Sequence, residues 1–528
     1  MADANPRNPS RSRSRSAEYA RLSPTTFIIP LALVYRLALL LPTTTNLRII
    51  QLVACRIWCY RNDPTRIPTG ESCSTPGVDR YYSAITSILA IGDGIGGMFG
   101  CGAASFLSSR FGRKPVLLGL IFIVVVDHFS ILTFQLLEGW KQAVMFALWA
   151  TCELTGSSLA VIFVINMCIV DLAQPEKRSV GLSKVTGWSY LGSALSFSLG
   201  GSITARTHDT ITVYITSLSI LGSLLLYTVV AVPESFPSAK REKLRRERVA
   251  RAPSSQSWIQ TLKLSTAVVS EPLQLLKPDY NPLTGRQNWR LVYCAVHIFI
   301  VTVADGYAVI AMALYCTTRY NYTPAETGYV LSTLHITNAI VLTALVPCVV
   351  RSMKPLYKLK ELVGLSDLET MAGDHGICSE TMTEDASRRV VWRTSDHLDV
   401  HITMISWAVE SLAYIALGAA TTVTGQLVAV ICIGLGAGRA PVFRSLVAAS
   451  VDPLKQGEAL ASMEMVFNLA SVLSPMLMGN IMTLTITRAP QTLFYVHAAI
   501  IALGASVLFL VRDSDRYKKP AISLDPED

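Results

Sequence analysis

Charge is scarce in this chain. Asp, Glu, Lys and Arg make up 16% of its 528 residues, against about a quarter in an ordinary soluble domain. The deficit is concentrated in blocks of roughly twenty apolar residues, about the length that crosses a bilayer. A mean hydropathy of +0.41 points the same way and excludes a soluble globular protein. Metal-ligand spacing is missing too. Six of the eleven cysteines (Cys101, Cys152, Cys168, Cys294, Cys348 and Cys432) stand alone inside apolar runs, where cysteine acts as a small apolar residue. No HExxH and no P-loop occur, and the aqueous segments are too small to house a separate active site, so neither an enzyme nor a cofactor is expected. The stretch "GDGIGGMFG" at 92–100 contains a GxGxxG string, but no strand precedes it and no soluble helix follows, as nucleotide binding requires. Gly92, Gly96 and Gly100 instead recur every four residues, one helical face for close packing.

What is present is a series of apolar spans near 26–45, 81–107, 115–136, 143–171, 186–205, 210–232, 290–316, 323–349, 400–421, 424–448, 457–484 and 490–511. The first follows an arginine-bearing tail as a signal peptide would, but its length and the spans behind it read as an uncleaved first helix. The expected fold is an all-α membrane protein of twelve transmembrane helices in two six-helix halves. Residues 1–25 form a disordered tail, 26–232 the N-terminal half, 233–289 a central loop, 290–511 the C-terminal half with a long loop at 350–399, and 512–528 a second tail. Seven of twelve residues in "KREKLRRERVAR" (240–251) are basic. So are "RFGRK", "EKR" (176–178) and the C-terminal Arg512, Arg516, Lys518 and Lys519. The net charge of +9 therefore sets orientation rather than recruiting nucleic acid, and both termini are expected in the cytoplasm.

The opposite face should carry a polar loop at 46–80 with Cys55, Cys59 and Cys73, where a disulfide is plausible in an oxidising compartment. Cys316 lies near the same side. The sequon "NYT" at Asn321 would face that side as well. The centre of the 350–399 loop, residues 361–385, has seven acidic residues and no lysine or arginine. It reads as a solvated segment, with phosphoregulation the sharper alternative.

Six spans, a basic central loop and six more spans is a layout that resembles the major facilitator superfamily. Motifs carry the resemblance further. In "SFLSSRFGRKPVLLGL" (105–120), Leu107, Arg110, Gly112, Arg113 and Lys114 match that family's loop between spans two and three. Ser105 stands where the family has glycine, and Ser109 where it has aspartate. "VDLAQPEKRSVGLSKVTGWSYLG" (170–192) resembles the Asp–Pro–Glu–Arg loop of the drug and tetracycline efflux branch through Asp171, Pro175, Glu176, Arg178 and Gly181. "PES" at 233–235 resembles the close of the sixth span. Gly192, Gly200 and Gly201 match a fifth-span antiporter pattern in which Ser196 and Phe197 replace Gly-Pro. The cysteine-bearing first outer loop and "YTPAETGYVLS" (322–332) resemble fungal relatives of the tetracycline-resistance and proton-coupled folate transporters.

The resemblance implies alternating access around a midplane site lined by spans one, four, seven and ten. Those spans carry Arg36, Glu153, Asp305 with His297, and Arg439 with Arg444. A charge at a helix centre costs about 2.5–3.5 kcal/mol on insertion scales, so each should face a partner or a wet cavity. Arg36 and Asp93 form a candidate ion pair. Arg439 and Arg444 could hold an anionic substrate, or close an inner gate through Glu464. His297 reads as either a packing residue or a relay. Asp127 with His128, and Glu410, sit on peripheral spans and read as structural anchors. "GLGAG" (434–438) should allow close packing or bending in span ten. The missing aspartate at Ser109 implies a weaker inner latch. The expected function is proton-coupled efflux of a drug-like compound or secondary metabolite by a monomer in the plasma membrane or, failing that, the vacuolar membrane. Its partners would be the lipid bilayer, a small-molecule substrate and protons. The alternatives are proton-coupled uptake of an organic anion, and a transporter-like sensor signalling through its long loops.

Overall fold

A computed structural model describes residues 24–62, 76–207, 210–251, 272–281, 286–320, 324–364, 388–485 and 489–516. Cys73, Asn321, Lys518, Lys519 and most of the acidic segment 361–385 lie outside the described residues. Among those described, nine helices are long and apolar enough to cross a membrane. The other three expected spans coincide with the helices α1 (Ile28–Leu40), α3 (Pro76–Phe111) and α7 (Arg178–Thr207).

The first correction concerns the loop expected at 46–80. Residues Thr43–Asn62 form a helix, α2, because Ile49, Val53 and Ile57 recur at helical spacing. They cover an apolar hollow of about 150 Å³ with Ile85, Leu89 and Trp149. The 350–399 loop holds a second surprise. Its flanks Lys358–Gly364 (β1) and Arg388–Thr394 (β2) pair antiparallel, with Lys358 opposite Thr394 and Gly364 opposite Arg388. A basic helix, Ser238–Arg251 (α9), occupies the central loop.

Most of the remaining spans are continuous helices: α4 (Arg113–Leu136), α8 (Ile211–Ala231), α14 (His397–Ala419), α17 (Gln456–Thr485) and α18 (Thr492–Ser506). Span eight, built from α12 (Pro324–Ile340) and α13 (Val346–Met353), carries one π turn at Val341–Leu345. Spans four, seven and ten are each broken. Span four divides into α5 (Trp140–Leu154) and α6 (Ser157–Leu172), and span seven into α10 (Arg290–Asp305) and α11 (Ala308–Tyr320). Span ten divides into α15 (Val423–Leu435) and α16 (Arg439–Ala449) around a 3-10 turn at Gly436–Gly438. The bend expected in "GLGAG" is there. Interrupted backbone at membrane depth is tolerated where it is buried in protein or lines a cavity.

Small residues set the helix spacing. A side chain on Gly96 would begin 2.7 Å from the Glu153 carbonyl, and one on Gly100 would begin 2.4 Å from that of Thr155. The Gly92–Gly96–Gly100 face therefore packs α3 onto the break in span four, as its spacing suggested. On α7, Gly192 and Gly200 press on the carbonyls of Leu33 and Leu41. Between them Ser196 donates to the Leu37 carbonyl at 3.0 Å. Serine in place of the family's glycine keeps the close approach and satisfies one backbone oxygen.

At the end that carries the basic loops, one buried cluster joins both halves, with Met167 and Val170 packed among Leu446, Val447, Leu460 and Met463. At the other end the described clusters belong to one half each: Ile131, Leu132, Trp149 and Tyr214 in the first, and Met312, Tyr315, Tyr414 and Phe494 in the second. The molecule is closed at its basic-loop end.

Gly156 sits at φ +59° with the Gly96 carbonyl 2.1 Å from where a Cβ would stand. Gly156→Val should cost at least about 2 kcal/mol through the left-handed backbone and overpacking together. Gly119→Ala, where nothing lies within 4 Å, should be harmless. Thermal melting of the two purified variants checks this, and equal melting temperatures would contradict the packing argument.

Candidate functional site

Between the halves lies a cavity of about 300 Å³, at the lower end of the range for small-molecule sites. Spans one, four, seven and ten all contribute to it. So do α7 through Tyr190, α14 through Trp407 and α17 through Phe467 and Asn468.

The largest charged group on its wall is centred on Arg439, the first residue of α16 after the glycine turn. Its Nη2 lies 3.1 Å from Asp305 Oδ2 and its Nη1 2.5 Å from Glu410 Oε2. Asp305 ends α10 at the break in span seven, and Glu410 comes from α14. Gly436 makes the approach possible, since a Cβ there would begin 2.8 Å from the Cβ of Glu410. Glu410 was expected to be a peripheral anchor. The structure corrects this: its side chain is 1% exposed and directed at the cavity's central cation. The turn that opens span ten brings the ninth span close enough for contact. His497 adds its Nε2 3.9 Å from Asp305 Oδ1 and packs at a tilt against Tyr414, ring centroids 4.2 Å apart.

The indole of Trp407 lies under the Arg439 guanidinium at 4.6 Å, within cation–π range. Its Nε1–H donates to His297 Nε2 at 3.2 Å, and His297 Nδ1 meets the Gly504 carbonyl at 2.8 Å. An imidazole that accepts at Nε2 must carry its proton on Nδ1, so this histidine is neutral. His297 lines the cavity, yet both its nitrogens are committed. It positions Trp407, which in turn supports Arg439, and the packing reading of His297 prevails over the relay.

Arg444 pairs with Glu464, Nε to Oε1 at 2.9 Å and Nη2 to Oε1 at 2.8 Å. The pairing weighed from sequence is present, and it sits on the cavity wall. Arg36 also lines the cavity, but the expected ion pair with Asp93 does not form. Asp93 and Glu153 lie outside the cavity lining. Glu153 belongs to the stretch of span four against which the glycine face of α3 packs, so its neighbours are α3 residues rather than the substrate space. No carboxylate among the described residues lies within ion-pair distance of Arg36. His128 and Asp127 do pair, at 3.3 Å, away from the cavity.

The loop at 105–117 works with carboxylates supplied from elsewhere. Ser109 turns its hydroxyl to the Phe106 carbonyl at 2.8 Å. Arg113 holds Asp171 at 2.9 Å and Ser108 at 2.5 Å. Glu234, the middle residue of "PES", accepts from the backbone N–H groups of Arg113 at 2.8 Å and Lys114 at 3.2 Å. It thereby caps the positive end of α4, a favourable place for an anion. Gly112, at φ +104°, lets the chain turn under that carboxylate. Lys114 Nζ donates to the Val229 carbonyl at 2.7 Å, and Arg110 stacks on Phe106 at 3.9 Å.

The two halves meet at this end. A Cβ on Gly457 would begin 2.6 Å from Arg113 Nη2, and Arg178 Nη2 reaches Gln456 Oε1 at 3.4 Å. In the second half Asp396 bridges Arg290 at 2.6 Å and Arg516 at 2.7 Å, a lock that the sequence reading missed. Nothing but an aspartate at the edge of a long polar loop signalled it. On α2, Cys55 is disulfide-bonded and Cys59 is a free thiol.

Removing one partner of a buried pair leaves an uncompensated charge and costs about 3–5 kcal/mol. Arg439→Gln should therefore destabilise by that order, because two carboxylates lose their cation. Arg36→Gln leaves no acid stranded and should change stability little. Melting of the two variants in detergent compares them, and equal losses would contradict the pairing scheme.

The chain matches the Major Facilitator Superfamily over residues 78–355 and 393–526. It is 45% identical over 415 residues to the major facilitator-type transporter psiT1 of Psilocybe cyanescens, covering 77% of this chain and 87% of that protein. An uncharacterized membrane protein of Schizosaccharomyces pombe is 23% identical over 485 residues, 86% of this chain and 74% of that one. Among solved structures, the human organic anion transporter MFSD10 (TETRAN) superposes with a TM-score of 0.63 at 17% identity, covering 92% of this chain and all of that one. The proton:xylose symporter XylE superposes with a TM-score of 0.62 at 13% identity, covering 93% and 95%. Family match, curated relative and fold agree with the motifs: this chain belongs to the major facilitator superfamily, and it is a membrane transporter rather than an enzyme.

Proposed function

We propose that this transporter is a proton-coupled exporter of a mid-sized organic compound, drug-like or a secondary metabolite. It works by alternating access as a monomer in the plasma membrane, with both termini in the cytoplasm. The observation that carries the coupling is the Arg439 cluster. Two carboxylates share one guanidinium there, one of them on the cavity wall, and such a cluster offers a group that can take up and release a proton. The closed basic-loop end and the breaks in spans four, seven and ten supply a moving frame around that site. Orientation rests on the basic loops and on the disulfide at Cys55, which suits an oxidising outer face.

The substrate is named first by comparing small molecules inside and outside cells of the native host, in a deletion strain and an overexpressing one. Export predicts retention on deletion and expulsion on overexpression; a compound left in the medium on deletion would establish uptake instead. With that compound in proteoliposomes, Asp305→Asn should lose the component of flux driven by a pH gradient and keep exchange at equal pH. Unaltered pH dependence would remove Asp305 from the proton path.

A further inference from the structure

The cavity's charges do not cancel where they stand. Three arginines line it: Arg36, Arg439 and Arg444. Arg444 is neutralised by Glu464. Arg439 is met by both Asp305 and Glu410. Arg36 has no carboxylate partner among the described residues, and its half-buried side chain borders the same space. The cavity is therefore uneven in charge, with an arginine that meets no described carboxylate on the first span and a cluster of acids around Arg439 at the junction of spans seven, nine and ten.

An unmatched arginine within an apolar helix is costly unless something joins it. The sequence around Arg36, "LALVYRLALL" (31–40), offers no acid. Neighbouring walls are aromatic: Tyr190, Phe163, Phe443, Phe467 and Trp407 border the cavity. A planar, always-charged guanidinium beside aromatic surfaces suits one kind of guest, an aromatic or aliphatic organic molecule bearing a carboxylate, phosphate or sulfonate.

We propose that Arg36 is the residue that receives the anionic group of the substrate, and that the transported molecule is an organic anion whose apolar body lies against the aromatic wall. The proposal rests on the reading of the central cavity as the substrate site. Arg439 and Arg444, the two cations that sequence alone offered for this task, are excluded because their charges are already met. The acids around Arg439, Asp305 and Glu410, are left to the proton, so ligand and proton occupy opposite sides of one cavity.

The test is a binding measurement on purified protein in phosphatidylcholine nanodiscs, which requires no flux. The probes are a panel of aromatic carboxylates and aryl phosphates, each paired with its neutral amide or alcohol, read by thermal shift and by calorimetry. Wild type should prefer the anionic member of the best-binding pair. Arg36→Gln should reduce that preference about ten- to hundredfold, the worth of a hydrogen bond to a charged group, and Arg36→Lys should restore part of it. The neutral members should bind Arg36→Gln and wild type alike, which shows that the variant's cavity is intact.

If anion preference persists in Arg36→Gln, or if charged and neutral probes bind wild type equally, Arg36 is not the anion site and the inference fails while the cavity reading stands. If no probe of either kind binds wild type, the cavity reading fails and takes the inference with it.

Discussion

Charge buried in a low-dielectric slab must be answered by charge, and the structure depends on how that requirement is met around Arg439. This guanidinium draws Asp305 from span seven and Glu410 from span nine onto span ten. Trp407 supports it from below, and neutral His297 ties that indole to the carbonyl of Gly504 in span twelve. Four spans of the C-terminal half are thereby fixed in register by one cation and its neighbours. The N-terminal half has no counterpart in the cavity. Its helices are held by close backbone contact instead, glycine and serine on carbonyl along α3 and α7, the packing that membranes favour when lipid and side chain are equally apolar. Within the cavity the ion pairs belong to the C-terminal half, and the N-terminal half contributes closely packed helices.

The basic-loop end shows how a motif can change a residue and keep its physics. Ser109 supplies no carboxylate, but Asp171 meets Arg113 and Glu234 caps the helix that follows. Two acids, Asp171 at the end of span four and Glu234 at the start of the central loop, surround the loop, and Arg113 reaches across to Gly457 at the start of span eleven. Closure at this end is a joint product of that loop, the Arg178–Gln456 contact and the shared apolar layer beneath them.

Much of the fold was legible because bilayer length and motif spacing leave few alternatives. The twelve apolar runs, the glycine face at 92–100 and the bend at 434–438 follow from local composition. The site was harder. Arg36, Asp305, Arg439 and Arg444 were visible as charges in apolar helices, and a contact with Glu464 was one of two roles open to Arg439 and Arg444. Arg36–Asp93 was inferred from similar depth and is absent, since depth along a helix does not say which way a side chain faces. Glu410 was seen but misplaced: only the three-dimensional turn at Gly436 carries span nine to Arg439. Helix α2 and the β1–β2 hairpin were read as loops because polar residues interleave with their apolar ones.

The central claim is that the two halves rock about a charged cavity whose basic-loop end is closed in the state described. The direct measurement is the distance across that end, by double electron–electron resonance between spin labels at Gln174 and Lys455 in nanodiscs. The account predicts two distance populations whose ratio changes with pH in wild type and ceases to change when Asp305 and Glu410 are both neutralised. A single distance, indifferent to pH in wild type, would contradict it.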